Sequence, residues 1–300
     1  MKKETLSNMI EQFINEEIND EKSNNTVKHY EHVVKMFVDF LHNEEVTKKD
    51  VIDFKQKMQI NMKPKTVNNY IVVINKFLKY AAIVDKGYPS RIARTGEYTK
   101  LATMGEIEDL TVKNIKMQNR SSLEEVLEPI DLKRLMRWAK KLERMDMYLI
   151  MKIIAFTGVR AEELKVFTVE NIQSNYIETK NKGKIRNVIL RQDLRRELIK
   201  YCKDNNITSG YIFKGKKEGT MIHSTTIYKQ LKKIAGFAKV KKSKVHAHSF
   251  RHLFAIKFIE EGGDISELAD ILGHSSIETT RIYTMTTDSM KRKRMERMKY

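Results

Sequence analysis

Apolar residues in the first third of the chain recur at the spacing of an amphipathic α-helix. Three stretches show this spacing: residues 6–13, 27–41 and 67–81. A shorter helix is predicted between the second and the third, because Thr47 and Asp50 have capping-box spacing ahead of Val51 and Phe54. The pattern therefore predicts a compact unit of four helices.

The helical spacing weakens between Asp85 and Glu128, where proline and glycine residues interrupt it repeatedly. A chain of 300 residues suits two domains of ordinary size. We therefore predict a helical domain over residues 1–110, a linker over 111–128, and a second domain with a C-terminal tail over 129–300. The role of the interrupted stretch stays open at this point.

Helical spacing returns after the linker and is broken once by a strand pattern. Two helices are predicted, over residues 132–142 and 148–156. Residues 176–180 and 185–190 are typical of two strands around a tip at 181–184, where Gly183 can adopt a positive φ. Everything after the hairpin is helical in pattern. The sequence thus predicts a mainly α fold with one small β-hairpin.

Basic residues far outnumber acidic ones, 57 against 39, which gives a formal charge of +18. Such an excess favours a polyanionic partner, with nucleic acid ahead of an anionic membrane. The polar faces of the N-terminal helices carry several cations and two asparagines: Lys28, His29, Lys35, Lys63, Lys65, Lys76, Lys79, Asn68 and Asn69. A solvated surface explains any one of them at least as well, so only the summed charge argues for phosphate contacts.

The sequence also limits the class of protein. Cys202 is the single cysteine, which excludes an internal disulfide and a thiolate zinc cluster. No apolar run is long enough to span a bilayer, and the first residues turn acidic where a signal peptide is apolar. We therefore expect a cytoplasmic, nucleoid-associated protein with no membrane partner.

Polar residues stand beside apolar helical segments at four places in the second half of the chain. They are Arg160 and Glu163 in TGVRAEEL, His248 and Arg251 in HSFRH, His274 after LG, and Tyr283 in TRIY. Arginine and glutamate, or histidine and arginine, three positions apart share one face of a helix. Taken singly, each place is better explained by packing or by a surface ion pair.

Taken together, the set fits one reaction. The guanidinium groups of Arg160 and Arg251 can bind the nonbridging oxygens of a phosphodiester bidentately. A free tyrosine has a pKa of about 10, so its hydroxyl needs help to attack, which His248 and the arginine charges could provide. The leaving 5′ oxygen needs a proton, which a lysine at the hairpin tip could supply. The tip offers three: Lys180, Lys182 and Lys184.

At these residues the chain resembles the phage integrase family, the tyrosine recombinases. The resemblance spans about residues 129–285, and the N-terminal helices resemble the family's SAM-like core-binding domain more loosely. It implies an α-rich catalytic domain with these catalytic residues: Arg160 supported by Glu163, a hairpin lysine, His248, Arg251, His274 and the nucleophile Tyr283. The order of the motifs and the spacing from LGH to the tyrosine both agree with the family.

Two departures from the family pattern concern the hairpin and its surroundings. The position of the family's lysine falls on Asn181, so we choose Lys180 as the general acid, with Lys182 as the alternative. Ile189 and Ala247 stand where many relatives have proline, which changes local stiffness more than chemistry.

The resemblance implies a site-specific recombinase that joins a DNA 3′ phosphate to Tyr283, releases a 5′ hydroxyl, and needs neither a cofactor nor a metal. Its partner would be double-stranded DNA with paired inverted half-sites, clamped between the two domains. Four protomers would assemble on two sites, and the free protein would be a monomer or a weak dimer. Two alternatives stay open: a catalytically silent DNA-binding accessory protein, and a type IB topoisomerase. The sequence specifies neither the DNA target nor the choice among integration, excision and resolution.

Overall fold

The computed structural model describes residues 1–117, 126–181, 184–274, 276–283, 295–296 and 298. The chain divides into two compact units, residues 1–119 and 120–300. Within the described ranges, no helix combines the length and the apolar character that crossing a bilayer requires.

The N-terminal unit contains the predicted four helices. They are α1 (Lys3–Asn19), α2 (Asn24–Phe40), α3 (Lys48–Asn61) and α4 (Pro64–Asp85). Each contributes one fully buried phenylalanine to a common core: Phe13, Phe37, Phe54 and Phe77. The predicted capping box is present at the start of α3, where the Thr47 N–H donates to the Asp50 carboxylate at 2.8 Å. The hydrophobic spacing of the sequence therefore corresponds to one apolar face on each helix.

The stretch after α4 folds onto the same unit. It forms a short 3₁₀ helix (Ser90–Arg94), α5 (Gly96–Thr103) and an extended segment. The amides of Asn75 and Asn68 each exchange two hydrogen bonds with the backbone of that segment, at Val112 and Ile115, over 2.7–3.0 Å. Residues 111–117, which the sequence analysis assigned to the linker, thus pack on α4. Asn68, assigned to a polar face, holds this backbone in place.

The second unit has a helical core and a small sheet. Its elements are α6 (Pro129–Lys141), α7 (Met145–Thr157), 3₁₀ helices at Ala161–Val166, Asn171–Gln173 and Lys242–Lys244, β1 (Tyr176–Asn181), β2 (Lys184–Ile189), α8 (Gln192–Asp204), α9 (Ser224–Phe237), α10 (Ala247–Glu260), α11 (Ile265–Leu272) and α12 (Glu278–Arg281). Helix α7 is buried on almost every side and contacts α6, α8, α9 and α10. The helix predicted after Gly158 is a 3₁₀ helix, with Arg160 at its N-cap.

The hairpin separates a packed face from an exposed one. Strands β1 and β2 are antiparallel, with Thr179 opposite Arg186 and Lys180 opposite Ile185. Thr179 and Arg186 lie on the packed face, whereas Lys180 and Ile185 lie on the exposed face. Because neighbouring residues of a strand point to opposite sides, this register decides which side chains face the core.

Candidate active site

Two helix ends, each closed by a glycine, form the floor of the site. Gly158 ends α7 with φ +68° and Gly273 ends α11 with φ +63°, a left-handed conformation that glycine adopts without strain. A Cβ atom at Gly158 would lie 2.6 Å from the ring of Phe254 and 2.7 Å from the side chain of Leu272. Only glycine fits there, so the two helix ends can approach each other closely.

Arg251 joins these two helix ends. Its Nη1 donates to the Gly158 carbonyl at 2.6 Å and its Nη2 donates to the Leu272 carbonyl at 2.7 Å. The side chain is only 3% exposed. Burial first, and then the charge of Arg160, lower the pKa of Arg251 to about 10, so it remains a cation at neutral pH. Carbonyls at helix C-termini carry partial negative charge, which stabilises this buried cation.

Three guanidinium groups surround the buried carboxylate of Glu163. Its oxygens lie 2.7 Å from Arg186, 3.3 Å from Arg160 and 4.0 Å from Arg251. The carboxylate also accepts the backbone N–H of Arg160 at 2.7 Å. Three positive charges against one negative charge leave a surplus of two positive charges. This surplus of positive charge favours binding of an anion.

Arg186 connects the hairpin to this cluster. It extends from β2, pairs with Glu163, and donates through Nη1 to the Ile271 carbonyl of α11. The side chain is 9% exposed. Burial is the largest cause of a lowered pKa at Arg186, and the Glu163 carboxylate opposes it.

His274 lies between Arg251 and Thr280. Its Nε2 is 3.0 Å from Arg251 Nη2, and its Nδ1 is 2.7 Å from the Thr280 hydroxyl. A guanidinium can only donate, so Nε2 accepts and the ring carries its proton on Nδ1. Burial, followed by the charge of Arg251, lowers the pKa of His274 to about 4. The neutral ring therefore accepts a hydrogen bond from Arg251 and helps to hold its guanidinium group in place.

Tyr283 packs its ring against the apolar sides of α10 and α11, in a cluster with Ala255, Ile259, Leu268 and Leu272. The residue is 8% exposed. Its hydroxyl lies 2.9 Å from Nδ1 of His252, which is on α10. Burial raises the pKa of the Tyr283 phenol, while the charges of Arg251 and Arg160 oppose that rise. The phenol is therefore within the field of the arginine cluster.

His248 lies one helical turn before His252, and their ring centroids are 6.0 Å apart. The residue is exposed. Desolvation of the ring, and then the charges of Arg251 and Arg160, lower its pKa. At neutral pH the ring is therefore mainly uncharged, and it is accessible to a ligand.

Two protein-family models match this chain. The phage integrase family model matches residues 125–290, and the model of the N-terminal SAM-like domain of phage integrases matches residues 10–84. The chain belongs to the phage integrase family. The resemblance inferred from the sequence and the predicted fold class are both confirmed.

Two curated relatives and one solved structure illustrate the similarity. A tyrosine recombinase of Pseudothermotoga lettingae is 26% identical over 277 residues, covering 90% of each chain. Tyrosine recombinase XerH of Helicobacter pylori is 30% identical over 196 residues, covering 59% of this chain and 54% of that relative. This match spans about half the length of XerH. A crystal structure of XerH bound to palindromic difH substrate, a post-cleavage complex, has a TM-score of 0.70 at 22% identity, covering 91% of this chain and 79% of that one, which shows the shared fold.

The structure brings most of the residues implied by the phage integrase resemblance into one region of the second unit. Glu163 pairs with Arg160 and lies 4.0 Å from Arg251, which in turn contacts His274. The charges of Arg251 and Arg160 act on Tyr283, and His248 is on the same helix as Arg251. Lys180 is exposed on the face of the hairpin opposite to Arg186, and Lys182 lies outside the described residues. The choice of the general acid therefore stays a prediction.

Sequence reasoning did not assign a role to two residues of this integrase site, Arg186 and His252. Arg186 alternates with the apolar Val188 along β2, so the packed face of the strand could have been extended to it. His252 lies four positions after His248, which places both rings on one face of a helix. The alternation along β2 and the helical spacing in α10 therefore indicated on which face each residue lies, although not which residues it contacts.

Proposed function

We propose that this chain is a site-specific DNA recombinase that cleaves and rejoins DNA strands through a 3′-phosphotyrosyl intermediate. One observation carries the proposal: Tyr283 packs in one apolar cluster with Leu272, and the Leu272 carbonyl binds Arg251, a member of a cluster of three guanidinium groups around one carboxylate. A phosphodiester supplies both the negative charge and the electrophile that such a pair requires.

Arg160 is the most accessible cation of the cluster, because its side chain is 27% exposed while those of Arg186 and Arg251 are 9% and 3% exposed. Arg160 would receive one nonbridging oxygen of the scissile phosphate. Arg251, fixed by two carbonyls, would hold the second oxygen through its remaining N–H groups. His248, exposed on the first turn of α10, can add a further hydrogen bond.

The reaction then runs as an in-line displacement. The Tyr283 oxygen bonds to phosphorus, the bond from phosphorus to the 5′ oxygen breaks, and a general acid protonates that oxygen. In the second half the 5′ hydroxyl of a partner strand attacks the phosphotyrosyl bond and releases Tyr283. Because the covalent intermediate keeps the energy of the phosphodiester, rejoining needs no nucleotide.

The proposed substrate is double-stranded DNA with paired inverted half-sites, bound by four protomers on two sites. Three features support the choice of double-stranded DNA as the substrate. The formal charge is +18. A lysine-rich turn, Lys242–Lys244, lies next to the N-terminus of α10. Structural neighbours include XerH bound to a palindromic substrate. We infer accordingly that the protein works on DNA in the nucleoid.

Tyr283→Phe tests the nucleophile. A nicked cognate site, which traps the intermediate because the cleaved strand diffuses away, should give an SDS-resistant adduct with the unaltered protein. The variant should give none, while its gel shift with the same DNA stays unchanged. An adduct formed by Tyr283→Phe would show that another residue attacks. DNA binding without any adduct in the unaltered protein would instead favour a silent accessory role.

Lys180 is our proposed general acid, and a sulfur substitution tests it. Lys180→Ala should slow strand cleavage by about a hundredfold or more, because the 5′ oxygen leaves poorly without a proton. A substrate with sulfur at the 5′-bridging position should restore the rate, since a thiolate leaves without protonation. Lys182→Ala is the matched control. If that variant alone is rescued by sulfur, the acid is Lys182.

A further inference from the structure

The hydroxyl of Tyr283 has one hydrogen-bond partner among the described residues, and it is not a residue that the sequence analysis assigned to catalysis. Nδ1 of His252 lies 2.9 Å from the oxygen, and the two ring centroids are 5.3 Å apart. A proton acceptor must be within about 2.6–3.2 Å of the proton donor, and this pair meets that requirement.

We propose that His252 is the catalytic proton acceptor of the nucleophile, a role that rests on the proposed function of the site. As the Tyr283 oxygen bonds to phosphorus, its O–H bond breaks and the proton moves to Nδ1 of His252. When the phosphotyrosyl bond is later attacked, the same proton returns to the departing phenol. The proton on the 5′ oxygen comes separately, from the general acid.

His248 is less suited to this transfer. Its ring is 6.0 Å from that of His252, and it lies on an exposed turn nearer to the N-terminus of α10. No hydrogen bond joins His248 to Tyr283 among the described residues. The phenol ring itself is held against α10 and α11 by apolar packing, so its oxygen is kept beside His252.

The protonation state of His252 agrees with the role of an acceptor. Burial first, and then the neighbouring His248, His246 and Arg251, lower the pKa of His252 to about 4. The ring is therefore neutral at physiological pH and Nδ1 can accept the phenol proton. A bound phosphate brings negative charge to the site, which raises the pKa of a nearby histidine. Phosphate binding thus strengthens the base at the moment when it is needed.

A phenol that ionises near neutral pH provides the decisive test, because it does not need a base. His252→Ala should slow single-turnover cleavage of a nicked site by about a hundredfold at pH 7. Its rate should then climb with pH by about tenfold per unit, following the fraction of phenolate. Replacing Tyr283 by a multiply fluorinated tyrosine in the same variant should restore most of the rate and flatten the pH profile.

Two companion variants separate proton transfer from orientation. His252→Gln keeps a hydrogen-bond acceptor but cannot take up a proton, so it should be as slow as His252→Ala and be rescued in the same way. His248→Ala should slow cleavage without rescue by the fluorinated tyrosine. Gel shift and thermal unfolding of each variant check that it is folded and binds DNA.

Several outcomes would overturn the role of His252. These are normal cleavage by His252→Ala, a normal rate in His252→Gln, or rescue by fluorotyrosine of His248→Ala but not of His252→Ala. Absence of any adduct in the unaltered protein would overturn the proposed function and this role together, so the two failures are distinguishable. The resting contact can be checked without DNA. In ¹⁵N NMR of the histidine rings, Tyr283→Phe should shift the Nδ1 signal of His252, and an unchanged signal would contradict the contact.

Discussion

Each unit of the chain buries a glutamate beside basic side chains, yet the two clusters differ in their balance of charge. In the N-terminal unit, Glu17 lies 2.5 Å from Lys76 and 3.2 Å from Arg94. Glu16 and Asp20 also pair with Arg94. Three carboxylates therefore face two cations. This cluster has no positive surplus and joins α1 to α4 and to the 3₁₀ helix that follows it.

Around Glu163 the balance is reversed, because one carboxylate faces Arg160, Arg186 and Arg251. Burial of an ion pair alone does not indicate function, since its desolvation cost is similar wherever it occurs. What distinguishes the second cluster is a surplus of positive charge around a buried carboxylate, on the same unit as a potential nucleophile. The comparison teaches that the charge balance of a buried cluster, rather than its burial, indicates an anion site.

Glu163→Gln tests the difference between the two clusters, and it should have the largest effect on DNA cleavage. Removing the carboxylate leaves three guanidinium groups without their shared partner and frees Arg160 to change position. Cleavage of a nicked site should fall by about a hundredfold, because small displacements of positioning groups have effects of that size. The free energy of unfolding of the second unit should also fall by about 3 kcal/mol. Trp138, the single tryptophan of the chain, lies in α6 and reports that unfolding by its fluorescence.

Glu17→Gln is the matched control for that variant. It removes an equally buried carboxylate, so stability measured by circular dichroism should fall by a similar amount. The cleavage rate of the folded protein should stay within about twofold of normal, because the ion-pair partners of Glu17, Lys76 and Arg94, belong to the N-terminal unit. Equal losses of cleavage in the two variants would mean that Glu163 acts only through general stability.

The contrast also shows how far the sequence can be interpreted. Helix periodicity predicted α1 to α4, and strand alternation predicted the hairpin to within one residue at each end of its tip. Arg160 and His274 could be located because the glycines that close α7 and α11 stand directly beside them. The Arg186 and His252 contacts could not be predicted. They depend on how β2 packs on α11 and how Tyr283 turns towards α10, and these tertiary contacts join residues 85 and 31 positions apart.

A smaller effect is expected when the free energy of unfolding of the second unit is measured as a function of pH. His246, His248, His252 and His274 all belong to the second unit, and burial is the first cause of the lowered pKa of each. In the unfolded chain a histidine has a pKa of about 6.5, so just below that pH it binds a proton more strongly than it does in the folded protein. The stability due to the neutral rings is therefore fully present above pH 6.5 and is lost as the pH falls towards the folded pKa of about 4 at His252 and His274. Urea unfolding followed by Trp138 fluorescence should show a decrease on the order of 1 kcal/mol for each of His252 and His274 between pH 6.5 and 4.5.

The double variant His252→Gln with His274→Gln isolates the two most strongly shifted rings. Its free energy of unfolding should vary less with pH over that window, because glutamine does not titrate. If the free energy of unfolding of the double variant varies with pH as much as that of the unaltered protein, acid acts on this unit through groups other than the imidazoles of His252 and His274. In that case a charged His252 in the free protein would also be possible, and Nδ1 would no longer be available as an acceptor for Tyr283.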